Sequence, residues 1–272
     1  MLYADIGALG KKALIYEVLT GPKPGLVDRF NPGAHRDMDA LTFILSAQSL
    51  ENYFAQCAAE GGRAAGTSGL LSRLRPLGIE AEKTMYAATG GVNTHKGAVF
   101  SMGLLCAAAG FLPEGAGASE ICRTAGEIAA PVKNDFLRAA GSTFGERLYQ
   151  KTGDTGIRGE AAAGFPSVIE TGLPALNAAL DSGLTLNESG ISALMKLITC
   201  VRDTTLIKRC GTEERFLRAQ REAEAVLKAP DILSASSLLD MKWSEEGLSA
   251  GGCADLLSLV YFLYFMENAE AC

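Results

Sequence analysis

Residues 98–109 are apolar at every position except Ser101 and Gly103. A helix built from them has no polar face, so the rest of the chain must cover it on nearly every side. The run falls short of the roughly 20 residues a membrane span needs, and so does a second very apolar segment at 254–266. The expectation is therefore a buried helix at the centre of a helical bundle, with no membrane as partner.

The remaining periodicity agrees. Ile6, Leu9, Ala13 and Tyr16 recur at steps of three and four over 5–19, and Leu41, Ile44, Leu45, Leu50, Phe54 and Cys57 do so over 40–59. A short helical piece at 69–75 is expected to stop at Pro76-Leu77-Gly78, with a new helix over 79–88. Further helices are expected within 119–150, with Pro131 starting a second segment, and at 172–181, 188–200, 212–229 and 231–241. No alternation of β-branched and aromatic residues persists as a strand would require. The chain reads as all-α, a single-domain bundle of about ten helices spanning 1–272, without internal repeats.

Composition narrows the function classes. The net charge is −6, with no basic tail, which argues against nucleic acid as the main partner. Seven cysteines lie scattered without a CxxC pair, the pattern of reduced thiols in a cytosol. With only His35 and His95 available, a structural zinc and a metal-dependent hydrolase are disfavoured. No signal peptide is visible, and a cytoplasmic enzyme is expected.

The chemistry-bearing residues sit in turns. Thr89-Gly90-Gly91-Val92-Asn93-Thr94-His95-Lys96-Gly97 feeds directly into the apolar helix. Such a glycine-rich turn either caps the helix or gathers backbone N–H groups around a phosphate at its positive end. It matches neither GxxxxGK[ST] nor GxGxxG. Four other polar loops, 20–28, 31–39, 153–160 and 249–255, also abut apolar segments and carry Lys23, His35, Arg158 and Asp255. Asp37 or Asp39 would cap the helix that follows, and the pair would also suit a hard cation such as Mg²⁺ beside substrate phosphates. If these loops meet on one side of the bundle, they form one cleft with cations, carboxylates and backbone donors.

Five segments closely resemble one family: Pro22–Asp28, Gly33–Asp39, Thr89–Gly97, Arg158–Ala161 and Gly251–Leu257. In collinear order over nearly the whole chain they are similar to the triphosphoribosyl-dephospho-CoA synthases that accompany citrate lyase or malonate decarboxylase. The stretch Thr89–Gly97 is the most specific of them. The resemblance implies a helical fold and transfer of the 5-triphosphoribosyl group of ATP to the ribose 2′-OH of 3′-dephospho-CoA, with release of adenine. The product would be the prosthetic-group precursor of an acyl carrier protein. The chain departs from the family pattern at Cys210, where a glycine is usual, and at Cys253, where a serine is usual.

For that reaction, Lys23, His35, Asn93, Thr94, Lys96 and Arg158, with the amides of Gly90 and Gly91, are the candidates for holding ATP and its phosphates. Asp37 and Asp39 are the candidates for Mg²⁺. Glu82, Asp203 and Asp255 compete as the carboxylate that steadies a cationic sugar and accepts the hydroxyl proton. His95 is a candidate proton donor to departing adenine. An ATP-dependent phosphotransferase and a non-catalytic nucleotide-binding module are the alternatives, and the apolar helices leave room for a homodimer.

Overall fold

The computed structural model describes residues 1–132, 147, 149–150 and 153–269. Among them are twelve α-helices and no strand: α1 (Tyr3–Leu19), α2 (Ala40–Gly62), α3 (Leu70–Ala88), α4 (Lys96–Phe111), α5 (Ala118–Ala129), α6 (Gly156–Ala162), α7 (Leu173–Asp181), α8 (Leu186–Cys200), α9 (Thr204–Cys210), α10 (Glu213–Leu227), α11 (Ile232–Glu246) and α12 (Gly251–Glu267). The all-α expectation holds. The part of the 119–150 reading beyond Val132 falls almost wholly outside the described residues.

The two apolar segments are the axis of the bundle. In α4 every residue from Ser101 to Ala109 is buried, and in α12 every residue from Leu256 to Leu263 is. They pack on each other, while α1, α2, α3 and α5 complete the cover of α4, and α1, α7, α8 and α9 that of α12. Close helix approach depends on glycine. A Cβ on Gly61 of α2 would stand 1.9 Å from the Ala107 carbonyl oxygen, and one on Gly110 of α4 would stand 2.0 Å from that of Ala58. The two glycines bring α2 and α4 backbone to backbone.

Several local expectations change. Pro76 and Gly78 do not end a helix, because α3 runs unbroken through them. Pro76 removes one intrahelical bond, but Leu70, Leu71 and Leu74 before it and Ala81 and Met85 after it are buried in the same core, which holds both halves in line. Part of the loop expected at 153–160 is the short helix α6. The helix expected at 254–266 begins earlier, at Gly251, so Asp255 lies in its second turn rather than its first.

The segment between α1 and α2 is built rather than loose. Asp28 accepts from the Lys23, Phe30 and Asn31 amides at 2.8, 2.7 and 3.1 Å. Asp240 of α11 accepts from the Gly25 amide at 2.9 Å and from Asn31 Nδ2 at 2.8 Å. With its amides satisfied and its turns pinned to α11, the segment lays Leu26, Val27, His35 and Met38 along one wall of a cavity.

Overpacking at the α2–α4 contact should be costly. Gly110→Val is expected to lose about 1–3 kcal/mol and to lower Tm by several degrees in a thermal melt. Gly66→Ala, where a Cβ meets nothing within 4 Å, should melt with the unaltered protein.

Candidate functional site

One cleft of about 740 Å³ opens at the N-terminal ends of α4, α6, α9 and α12. All five polar loops contribute to its lining, including Asn93–Gly97, Asp154–Ile157 and Ser249 with Gly251 and Gly252, and Arg202–Thr205 adds to them. The long helices α4 and α12 therefore direct the positive ends of their dipoles at the same space.

Five carboxylates line the cleft, and two of them, Glu17 and Asp203, lie close enough to a third, Asp255, for their charges to act on it. Asp203 is 2% exposed and caps α9, its Oδ1 accepting from the Thr205 and Leu206 amides at 2.7 and 3.0 Å. Its Oδ2 accepts from the Cys253 amide in the first turn of α12 at 2.8 Å, so one side chain ties two helix starts together. The Cys253 thiol also hydrogen-bonds it, where the related pattern has a serine hydroxyl. Burial raises the Asp203 pKa against the lowering pull of these donors.

Asp255, half-buried, lies against the start of α4. Its Oδ2 is 2.0 Å from where a Cβ on Gly97 would stand, so only glycine admits the carboxylate there. Burial first, and then the charges of Glu17 and Asp203, push its pKa well above the ordinary 3.8, while the Ala98 amide pulls it down. Glu17, the third acid, is 4% exposed and ion-paired with Lys23, whose Nζ also donates to the Glu17 carbonyl at 2.7 Å. Burial raises the Glu17 pKa, and Lys23 opposes that shift.

His95 is 2% exposed in the cleft lining. Thr94 Oγ1 donates to Ser46 Oγ at 2.7 Å, and Ser46 Oγ lies 2.7 Å from His95 Nδ1. His95 Nε2 is buried without a hydrogen-bond partner. Burial, reinforced by the nearby Lys23 charge, pushes the His95 pKa down to about 3, so the ring is neutral across ordinary pH. Also in the lining, His35 Nε2 lies 3.1 Å from Ser249 Oγ and 3.5 Å from Arg209 Nη2. Burial and Arg209 lower its pKa as well.

The sequence candidates thus divide. His35, Asn93, Thr94, His95, Lys96, Asp203 and Asp255 share the cleft. Lys23 does not line it. Its ammonium is 1% exposed and committed to Glu17, so it sets the charge beneath the cleft rather than meeting phosphates. Gly90 and Gly91 adopt φ of +65° and +93° and close the C-terminus of α3, the Gly91 amide donating to the Tyr86 carbonyl at 2.8 Å. That amide is spent as a helix cap and not as an anion cradle. Glu82 pairs with Lys96 at 2.8 Å and, with Arg158, lines a second cavity.

Asp37 and Asp39 also miss the cleft, although Met38 between them lines it. Asp39 caps α2, its Oδ1 accepting from the Thr42 amide at 2.8 Å and hydroxyl at 2.7 Å. Among the described residues no three His, Cys, Asp or Glu side chains gather as a metal site. Both aspartates are exposed and lie outside the cleft lining.

The structure adds residues that local sequence did not single out. Glu17 is acidic at a helix end, and nothing in its neighbourhood announces that Lys23 folds back onto it. Arg202 lines the cleft and pairs with Glu213 at 2.7 Å and Asp154 at 3.4 Å. Glu160 accepts from the Ser167 amide at 2.6 Å, and both line the cleft.

The result is a bipolar cleft in an all-helical protein, acidic at its floor and lined at its edges by Lys96, Arg202 and helix N-termini. That geometry suits a class of site, one that takes an anionic ligand. The chain matches the family model described as ATP:dephospho-CoA triphosphoribosyl transferase over residues 3–272 and belongs to that family. A probable 2-(5''-triphosphoribosyl)-3'-dephosphocoenzyme-A synthase of Pectobacterium carotovorum subsp. carotovorum (strain PC1) is 40% identical over 268 residues, covering 96% of this chain and 88% of the relative. One of the same description from Vibrio cholerae serotype O1 (strain M66-2) is 39% identical over 272 residues, covering 95% and 87%. No solved structure matches the chain significantly.

Two substitutions separate the acids. Folding raises the Asp255 pKa, so the folded state keeps its proton longer, and the associated stability is full below 3.8 and lost as pH rises through the higher folded value. Asp255→Asn should therefore raise Tm at neutral and alkaline pH and leave it unchanged in acid. Asp203→Ala should cost about 2 kcal/mol or more of stability at neutral pH, read as a lower Tm, because it orphans buried amides of two helices.

Proposed function

We infer that this chain transfers the triphosphoribosyl group of ATP to the 2′-OH of 3′-dephospho-CoA and releases adenine. The observation that carries the reading is the polarity of the cleft, an acidic floor and a cationic, helix-terminated edge within one cavity of about 740 Å³. A volume of this size suits a nucleotide. In such a transfer the bond from ribose C1′ to adenine breaks, the sugar becomes cationic, and the incoming hydroxyl loses its proton. An acidic floor steadies the positive sugar, and Lys96, Arg202 and the N-terminal turns of α4 and α12 face the phosphates.

Asp255 is the best-supported base. Its raised pKa brings it towards the range in which a carboxylate accepts a proton effectively. Asp203 spends its oxygens on three backbone amides, and Glu82 faces the second cavity. His95, neutral, would assist adenine departure by hydrogen bonding rather than as an imidazolium acid. Magnesium would enter with ATP, held by phosphate oxygens and water.

The resemblance to the citrate lyase and malonate decarboxylase systems supports an acyl carrier protein as the downstream acceptor of the product. Among the described residues no helix is long and apolar enough to cross a membrane. Six described cysteines are free, four of them buried, in keeping with a reducing cytosol.

Incubation with ATP, Mg²⁺ and 3′-dephospho-CoA should release adenine and add a triphosphoribosyl mass to the acceptor. ADP release would instead support a phosphotransferase, and ATP binding without turnover a non-catalytic module. Asp255→Asn should bind ATP normally and turn over about 10²–10⁴-fold more slowly; full activity in that variant would remove Asp255 as base.

A further inference from the structure

Beside the main cleft lies a second cavity of about 260 Å³. Its walls are mostly apolar, with Leu74, Val99 and Leu104 around Tyr53 and the glycines Gly78 and Gly103. Gly103 makes room for the tyrosine, since a Cβ there would stand 2.2 Å from the phenol oxygen. Tyr53 donates to the Val99 carbonyl at 3.1 Å, so its hydroxyl is already engaged. Two exposed arginines, Arg75 and Arg158, complete the lining.

This cavity is a neighbour of the cleft through two links. Lys96 lines the cleft, and its partner Glu82, 2.8 Å away, lines the cavity. Arg158 lines the cavity, while Ile157 and Gly159 on either side of it line the cleft. The divide between the two spaces is thus one ion pair and one turn of α6, and it carries Lys96 and Arg158.

We propose that the second cavity receives the pantetheine arm of 3′-dephospho-CoA, whose diphosphate crosses the divide beside Lys96 and Arg158. The proposal rests on the transferase reading above. The acceptor has three parts in a row: a nucleoside carrying the reacting 2′-OH, an anionic diphosphate, and a slender arm with apolar segments. The structure offers three matching spaces in the same order, namely the acidic cleft, the cationic divide and the apolar cavity. A nucleobase suits the cavity poorly, because burying its polar edge there would leave it unmatched against apolar walls. The arm instead lays its alkyl parts on those walls and keeps its amides towards the open side.

Gly78→Leu tests this without touching the cleft. A Cβ at residue 78 meets only Tyr53 Oη, at 3.6 Å, and leucine favours the helix over glycine, so the variant should fold. Its longer side chain fills the cavity. The KM for dephospho-CoA is expected to rise about tenfold or more, while the KM for ATP and kcat at saturating acceptor stay within about twofold. 4′-Phosphopantetheine should compete with dephospho-CoA and not with ATP, and calorimetry should show it binding the unaltered protein but far more weakly to Gly78→Leu. An unchanged KM for dephospho-CoA, equal phosphopantetheine binding by both proteins, or competition with ATP would overturn the assignment. Calorimetry needs no turnover. A cavity that binds phosphopantetheine in a protein releasing no adenine would therefore sink the transferase reading alone, and an active enzyme indifferent to Gly78→Leu would sink the cavity assignment alone.

Discussion

Two helices without a polar face, α4 and α12, cannot meet water along their length, and the bundle exists to enclose them. Enclosure leaves their ends as the places where polar backbone must be satisfied. Both N-termini open into the same cavity, so the requirement that buries the core also gathers unsatisfied amides in one place. Function here is located by packing: the site lies where the most apolar parts of the chain run out.

Those amides are not all left for ligand. Asp203 takes one from α12 and two from α9, and Asp255 takes one from α4. Each carboxylate is thereby held in a low-dielectric floor by donors that lose nothing when a substrate arrives. The Glu17–Lys23 pair lies close enough for Glu17 to raise Asp255 and for Lys23 to lower His95. A buried pair of this kind is weak evidence for stability, and its clearer effect is on the protonation of the two groups above it.

The fold class was legible because periodicity and the two apolar runs leave few alternatives. The cleft was partly legible, since polar residues concentrated in turns beside apolar helices mark where those turns converge. What local sequence could not supply was direction. Lys23, fixed between two prolines, reads as a held cation but not as one turned inward to Glu17. Gly90 and Gly91 read as an anion cradle, yet their left-handed backbone serves to end α3. Asp39 was open between a cap and a metal ligand, and the cap is what its oxygen makes. The meeting of Asp203 with Cys253, fifty positions apart, depends on how α9 docks against α12, which no local pattern encodes.

The chain from Thr94 through Ser46 to His95 has a consequence of its own. Ser46 Oγ accepts the Thr94 proton, and its single hydrogen is then available for His95 Nδ1. With Nδ1 as acceptor and the ring uncharged, the remaining proton resides on Nε2, the atom left without a protein partner. At that atom the imidazole therefore carries a donor and no lone pair. A group that pairs with that atom must act as an acceptor, a constraint of hydrogen-bond polarity set by Thr94 and Ser46.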